Sequence, residues 1–345
     1  MKTAFIYTEN FMKYDLGKNH PLKPVRLKKT YDMIIKYDLL DFYVEGKPAS
    51  EEDLSLAHSK EYIEAVKTGK DLEIYGFGTV DNPVFDNMFE SSLYYVGASI
   101  QCADYHRAFN ISGGLHHAKR NKASGFCVFN DCVILIKKLL QKYRRIGYID
   151  IDAHHGDGVQ EAFYSDPRVL FVSMHEAGKF LFPGTGDTAE IGTGEGKGTT
   201  VNIPLAPFTS DDIYLDMFER IVIPIMEEFK PELIVTQLGI DAHYLDPLSH
   251  LSLSLKGYRE ILIRMEKLSE RWMGLGGGGY NIETVPRAWT LAYSIMRKKE
   301  IDFSKIWEEE VAEIKKYESL IQNARSFAES TYRSLKAEIS EYFSI

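Results

Sequence analysis

Four of the ten histidines in this 345-residue chain form two adjacent pairs, each in a segment that also contains glycine. In the segment IDIDAHHGDG, Asp150, Asp152 and His154 are spaced by two residues, so an extended backbone projects all three to one side. Carboxylates and an imidazole in one row suit zinc with an open coordination position, or iron, manganese or cobalt. We therefore predict a metal site at a strand end. The alternative is an N-capping Asp beside surface histidines, although polar groups on an otherwise apolar strand are costly to bury unpaired.

A metal held by Asp152 and His154 alone would lack a third protein ligand. The segment QLGIDAHYLDP, which follows the apolar run of a predicted strand, offers two candidates. Of these we favour Asp241 over His243. The alternative for both residues is the capping of a loop.

The second histidine pair, His116 and His117, lies in SGGLHHAKRNKASGFCVFND, where two preceding glycines allow a close approach of the backbone. Two imidazoles beside a metal can divide the work, one accepting the proton of a water and the other shaping the electric field. Each imidazole then needs a carboxylate at its far nitrogen, and Asp150 and Asp157 are the available candidates. The alternative is a solvated or core pair of histidines.

The segment GLGGGGY ends at Tyr280, whose hydroxyl would donate a hydrogen bond to a developing oxyanion if this loop reaches the site. A dinucleotide-binding loop is disfavoured because the full G-x-G-x-x-G unit, with an acidic residue ~20 positions later, is absent. A tight turn with an incidental aromatic residue is the other alternative.

Two phenylalanines, Phe126 and Phe182, lie in glycine-rich loops expected at the same edge. They would form the walls of a narrow apolar channel, unless they belong to the core. We expect Cys127 to be a buried thiol rather than a nucleophile, because no His/Asp arrangement points to it.

The elements that must position these residues alternate along the chain as strand and helix, which indicates a parallel sheet covered on both faces. The predicted strands are Thr3–Thr8, Ala108–Ile111, Arg145–Asp152, Val169–Met174, Thr199–Ile203, Leu233–Leu238 and Trp272–Leu275. The predicted helices are about Pro24–Tyr37, Asn87–His106, Asn130–Tyr143, Asp211–Phe229, Leu255–Arg271 and Glu283–Arg297, with Asp211 as an N-cap. A charged amphipathic helix is expected at the end of the chain, outside the sheet.

Four polar, glycine-rich motifs follow predicted strands: SGGLHHA, DAHHGDG, GIDAH and GGGGY. Ligands of open parallel sheets bind beyond the carboxyl ends of the strands. We therefore expect these four loops to converge on one site.

Composition excludes several classes of protein. The chain has 41 Lys and Arg against 50 Asp and Glu, a net charge of −9, which argues against a dedicated nucleic-acid binder. No apolar run reaches the ~18 residues of a membrane span. Three cysteines cannot form a disulfide framework, so we expect a cytoplasmic protein. No linker or repeat divides the chain.

The segments HPLKPVR, GGLHHA, GFCVFND, YIDIDAHHGDGVQEAFY, FPGTGD, QLGIDAH and GGGGY together resemble the zinc-dependent histone deacetylase superfamily, in the family's order over about residues 15–290. ASEEDLSLAHSKEYIEAVK and DAHYLDPLSHLS look most like its bacterial and archaeal acetoin-utilisation branch. The resemblance implies an arginase/deacetylase α/β fold with a central eight-stranded parallel sheet. It also implies one catalytic domain over residues 1–345, with about 305–345 as a helical extension, and hydrolysis of Nε-acetyl-lysine in a protein or peptide, an acetylated metabolic enzyme being one such substrate.

The resemblance also assigns roles, residue by residue. It implies zinc ligands (Asp152, His154, Asp241), tandem catalytic histidines with their carboxylates (His116 with Asp150, His117 with Asp157) and an oxyanion-stabilising Tyr280. It further implies an acetyl-lysine tunnel (Gly125, Phe126, Phe182, Leu248), a rim carboxylate for the substrate backbone (Asp81), and a structural potassium site (Asp150, Asp152, His154, Ser173, Met174). Zinc is the expected metal, with iron as the alternative.

Some positions depart from particular branches of the family. Asp157 resembles the class I type, but the inositol-phosphate site of nuclear class I enzymes is not reproduced, since Pro247 and Glu283 stand where those enzymes carry Arg. We therefore expect no inositol phosphate, nucleic acid or membrane as a partner. An acetylpolyamine hydrolase, a non-catalytic acetyl-lysine binder and a dimanganese ureohydrolase are the alternative functions.

Overall fold

The computed structural model describes residues 2–40 and 42–345, and in these ranges eight parallel strands form one sheet in the order β2-β1-β3-β8-β7-β4-β5-β6. The strands are β1 (Ala4–Tyr7), β2 (Tyr43–Glu45), β3 (Arg107–Asn110), β4 (Ile146–Asp150), β5 (Val169–Glu176), β6 (Thr200–Leu205), β7 (Leu233–Gln237) and β8 (Trp272–Leu275). All but β2 are buried along their whole length, as expected when helices cover both faces of a parallel sheet. The predicted fold class is confirmed.

The helices are α1 (Val25–Lys36), α2 (Glu51–Leu54), α3 (Lys60–Thr68), α4 (Met88–Cys102), α5 (Asp131–Leu139), α6 (Asp157–Phe163), α7 (Asp211–Met217), α8 (Ile223–Phe229), α9 (Leu255–Leu268), α10 (Thr284–Met296), α11 (Ser304–Ile314) and α12 (Glu318–Ile339). One set packs as α1 on α10, α10 on α9 and α9 on α7, and another as α4 on α5 and α5 on α6. None of the helices in the described ranges has the length and apolar character needed to cross a bilayer.

The sequence patterns missed the short edge strand β2 and the helices α2, α3 and α6. The prediction of Asp211 as an N-cap is wrong, because α7 begins at Asp211 and Ser210 precedes it as the N-cap. The Asp211 carboxylate instead accepts hydrogen bonds from the backbone N–H of Ser254 (2.8 Å) and from its hydroxyl (2.5 Å). Asp211 therefore ties the start of α7 to the start of α9.

The two C-terminal helices are joined to the sheet and to one of its loops. On α12, the Thr331 hydroxyl donates to the carbonyl of Pro204 in the edge strand β6 (3.0 Å). On α11, the buried Glu310 carboxylate accepts hydrogen bonds from His243 Nε2 (3.2 Å) and from the Leu255 N–H at the start of α9 (2.8 Å). These helices therefore belong to the packed body of the protein.

The four motif loops follow β3, β4, β7 and β8, which are neighbours in the sheet in the order β3-β8-β7-β4. All four strands run in the same direction, so their carboxyl ends lie at one edge. The expected convergence of the loops is confirmed.

Candidate active site

A group of three buried potential metal ligands lies where these loops meet. One ligand atom from each of Asp152, His154 and Asp241 can be chosen so that all three lie within 4.8 Å of one another. The expected row on an extended strand is wrong, however, because β4 ends at Asp150, and Asp152 and His154 belong to the following loop. Asp241 comes from the loop after β7, as expected, and His243 turns away to Glu310.

Each carboxylate of this group has one oxygen fixed by the protein. Asp152 Oδ2 accepts hydrogen bonds from Gln237 Nε2 (2.5 Å) and the Gly278 N–H (2.7 Å), and Asp241 Oδ1 accepts one from the Ala153 N–H (2.8 Å). The other two oxygens face His154 Nδ1. Asp152 Oδ1 lies 3.2 Å from this nitrogen, and Asp241 Oδ2 lies 2.8 Å from it.

Burial and the charge of Asp152 raise the pKa of Asp241 to about 8. A divalent cation among these three atoms would compensate the buried negative charge that this shifted pKa reflects. The geometry and the donor set therefore fit zinc or iron, and a side chain at Gly278 would obstruct the site, since its Cβ would lie 2.4 Å from Asp241 Oδ2.

The two histidines of the SGGLHHA loop are buried beside this group and face each other. Their Nε2 atoms are 3.0 Å apart. His116 Nδ1 donates to Asp150 Oδ2 (2.7 Å), and His117 Nδ1 donates to Asp157 Oδ1 (2.7 Å). The structure thus brings together the histidine–carboxylate pairs that the resemblance implies.

The two imidazoles carry different charges. Burial favours the neutral form of both, but at His116 the charges of Asp150 and Asp152 outweigh it and raise the pKa to about 9. At His117, burial and the charge of His116 together lower the pKa to about 4. Near neutral pH, His116 therefore holds two ring protons, and the Nε2 atom of His117, 3.0 Å from Nε2 of His116, carries no proton.

Asp157 has a second partner that the sequence analysis did not consider. Its Oδ2 atom lies 3.2 Å from Lys119 Nζ, which also lies 3.2 Å from Glu161. Although burial alone would raise the pKa of Asp157, its hydrogen bond to His117 and the nearby positive charges lower that pKa to about 2. Asp157 therefore stays ionised and fixes the His117 ring.

Two aromatic rings stand in front of these groups. The Phe182 ring packs edge-on to His117 with centroids 5.1 Å apart, and the Phe126 ring packs edge-on to Tyr280 at 5.7 Å. Gly125 lies against the His117 ring, where an added Cβ would be 2.3 Å from Cδ2, so only glycine fits there. These side chains supply apolar walls of the kind predicted for a narrow channel.

Asp246 links Tyr280 to the half-buried Leu248. Its carboxylate accepts hydrogen bonds from the Tyr280 N–H (2.7 Å) and the Leu248 N–H (3.0 Å). Burial raises the pKa of Asp246 to about 6. Sequence analysis missed Asp246, although it lies within the DAHYLDPLSHLS motif.

Asp81 lies on an exposed loop that borders Phe126. The next residue, Asn82, accepts a hydrogen bond from the Phe126 N–H (3.0 Å), while the Tyr14 hydroxyl donates to the Phe126 carbonyl (2.7 Å). The His20 ring packs on Phe126 at 4.4 Å. Asp81 therefore lies next to the loop that carries Phe126, and its role as a rim carboxylate stays a prediction.

A cavity of about 20 Å³ lies between the histidines, Asp152 and Tyr280. This is room for about one water molecule.

Of the residues of the predicted potassium site, Asp150, Ser173 and Met174 lie on the neighbouring strands β4 and β5, whereas Asp152 and His154 lie in the loop after β4. Asp150 on β4 stands opposite Ser173 on β5, and the Met174 carbonyl accepts a hydrogen bond from the Tyr214 hydroxyl (3.2 Å). This placement leaves the potassium site a prediction.

Comparisons with known proteins identify the family of this chain. The histone deacetylase domain model matches residues 20–296. The acetoin utilization protein AcuC of Bacillus subtilis (strain 168) is 42% identical over 86% of this chain and 82% of its own length, and that of Staphylococcus xylosus is 38% identical over 84% and 80%.

Solved structures point to the same family. An HDAC homologue from Aquifex aeolicus superposes with a TM-score of 0.83 at 34% identity, covering 92% of this chain and 89% of that one. An HDAC homologue complexed with SAHA superposes with a TM-score of 0.86 at 31% identity, covering 98% and 100%. The chain belongs to the histone deacetylase family and is a deacetylase-family hydrolase similar to the AcuC proteins.

Proposed function

We propose that the protein hydrolyses the acetyl amide of Nε-acetyl-lysine in proteins or peptides, with Zn²⁺ held by Asp152, His154 and Asp241. The observation that carries the proposal is the pair of facing imidazoles, each hydrogen-bonded to a carboxylate, beside a group of three potential metal ligands. Fe²⁺ is the alternative metal, and metal analysis of the purified protein distinguishes the two; two manganese ions per chain would instead favour a ureohydrolase.

In this proposal the bound metal supplies Lewis acidity toward the amide carbonyl and toward a water molecule. His117 accepts the proton of the attacking water at Nε2, while Asp157 holds its Nδ1 proton. The water oxygen bonds to the carbonyl carbon, the C–N bond breaks, and His117 returns the proton to the lysine nitrogen. The Tyr280 hydroxyl donates to the developing oxyanion, and the protonated His116 adds positive charge nearby.

One feature of the site disfavours a polyamine. Phe126 and Phe182 suit any methylene chain, that of lysine or of a polyamine. The carboxylate of Asp246, next to Leu248, is buried and holds two backbone N–H groups, so it offers no exposed negative charge to the ammonium groups of a polyamine.

The rim also suits a peptide. Val80 and Val84, on either side of Asp81, are 90% and 55% exposed, and Leu245 is 49% exposed. Residues that flank an acetyl-lysine would cover these apolar side chains, whereas a small acetylated amine would not. Asp81 would accept hydrogen bonds from the peptide N–H groups beside the acetyl-lysine.

The test is turnover of an acetyl-lysine peptide against acetylputrescine and acetylspermidine, in the native protein and in Asp81→Ala. A hydrogen bond to a charged group contributes about 1.5–3 kcal/mol, so KM for the peptide should rise roughly tenfold or more, and KM for the amines should scarcely change. Asp86→Ala, which removes another exposed carboxylate of the same loop, is the control.

Equal losses for peptide and amines that shrink with added salt would show that Asp81 only attracts cations. A native enzyme that prefers the acetylated amines would contradict the proposed substrate class.

A further inference from the structure

A second cavity lies on the far side of the histidine loop from Phe126 and Phe182. Its volume is about 230 Å³, and its walls come from the segment Ala118–Arg120, the start of α5 with Asn130, and α6. We call it the basic cavity, after the three cations in its lining, Lys119, Arg120 and Lys137.

The charges of the basic cavity are not balanced. Glu161 is the one acidic residue in the lining, so three cations face one carboxylate in a chain of net charge −9. His58, also in the lining, adds no charge near neutral pH, because burial lowers its pKa to about 4.

Two of the cations, Arg120 and Lys137, form no ion pair, although the charge of Glu61 acts on Arg120 and that of Asp166 on Lys137. Within residues 2–40 and 42–345, the Arg120 guanidinium makes no hydrogen bond or ion pair, and the Lys137 ammonium donates only to the carbonyl of Leu56 (2.9 Å). Both cations line the same cavity, and burial together with repulsion from Arg120 lowers the pKa of Lys137, which the carboxylate of Asp166 offsets only in part. An anion between them would relieve this repulsion.

The third cation already binds carboxylates. Lys119 lies 3.2 Å from both Asp157 and Glu161, so it offers only part of its charge to the cavity. Arg120 and Lys137 therefore form the principal binding pair, with five and three N–H donors respectively.

We propose that the basic cavity is a binding site for a small tetrahedral oxoanion, held between Arg120 and Lys137. Its volume suits such an ion with a few waters, at about 30 Å³ of liquid volume per water. The same chemistry could come from free phosphate or from the phosphoryl group of a nucleoside monophosphate whose base remains in solvent.

The test is titration of the full-length, metal-loaded protein with inorganic phosphate and, separately, with adenosine monophosphate, by calorimetry at fixed ionic strength. In Arg120→Met/Lys137→Met, phosphate affinity should fall at least tenfold. The matched control is Lys142→Met/Arg144→Met, which removes two exposed cations between α5 and β4 and should leave the affinity within twofold of native. Phosphate that binds at the catalytic metal instead would still bind to both double variants.

Arg120→Met alone changes an exposed side chain and guards against misfolding of the double variant; it should also weaken binding. If native protein binds adenosine monophosphate but not free phosphate, and the same variants lose that binding, the phosphoryl site is supported. The phosphoryl group then comes from a nucleotide. Native protein that binds neither anion, or variants that bind both as tightly as native protein does, would overturn the proposal.

Discussion

The different charges of the facing histidines predict that their removal has unequal effects. With a pKa of about 9, His116 is about 99% protonated at pH 7, whereas His117, with a pKa of about 4, is about 0.1% protonated. Only His117 can accept a proton from water at that pH. His117→Ala should therefore lower kcat by about 10²–10⁴, or about 3–5 kcal/mol of barrier.

His116→Ala should cost less, because it removes a charge rather than the proton acceptor. It should also shift the pH dependence. The charge of His116 helps to lower the pKa of His117, so its loss should raise that pKa and weaken activity first at acidic pH.

The assay is release of acetate from an acetyl-lysine peptide between pH 5 and pH 9, with the metal content of each variant measured in parallel. The two histidines are adjacent and similarly buried, at 3% and 5% exposure, so each variant is the control for the structural cost of the other. A larger kcat loss in His116→Ala than in His117→Ala, at equal metal content, would refute the assignment of the base.

Three further predictions follow from the packing. Gly125→Ala would place a Cβ 2.3 Å from His117 Cδ2 and so displace that ring. The displacement should lower kcat about 10²-fold at unchanged metal content. A normal kcat would contradict the close approach. Asp246→Ala leaves the Tyr280 N–H without its acceptor and should cost about 1–3 kcal/mol in urea unfolding, whereas Asp246→Asn, which keeps an acceptor, should cost less. In the folded protein, burial lowers the pKa of His58 to about 4, below its usual 6.5. Neutral His58 therefore contributes about 3 kcal/mol to the free energy of unfolding above pH 6.5, and this contribution is lost as the pH falls toward 4. His58→Gln should flatten that pH dependence of thermal unfolding, and an unchanged profile would exclude His58 as its source.

Motif position in the sequence predicted much of the site because parallel strands bring their carboxyl ends together. Placing the motif loops after β3, β4, β7 and β8 was enough to predict that the histidine pairs, Asp241 and Tyr280 meet. Two-residue spacing was a poorer guide, since β4 ends at Asp150 and the proposed ligands Asp152 and His154 are positioned by loop hydrogen bonds. Spacing predicts orientation only while the backbone remains extended.

Contacts between distant segments could not be predicted. β2 has only three residues, with no pattern of core-facing positions, and α2 has only four residues, so neither element has a period that the sequence could reveal. Asp246 and Lys119 act through contacts with residues far away in the chain, Tyr280 and Asp157, and no local period marks such partners. The displaced N-cap at Asp211 has the same cause, since a neighbouring helix supplies its donors.

The hydrogen bond between His243 and Glu310 has a consequence for synthesis. His243 stands two residues after Asp241, and the carboxylate that holds its ring lies 67 residues later in the chain. At about 5–20 residues per second, the ribosome adds Glu310 roughly 3–13 s after His243. During that interval the segment that carries Asp241 lacks one of its supports, so in a nascent chain the loop with this proposed metal ligand is fully supported only after α11 has been made and has docked.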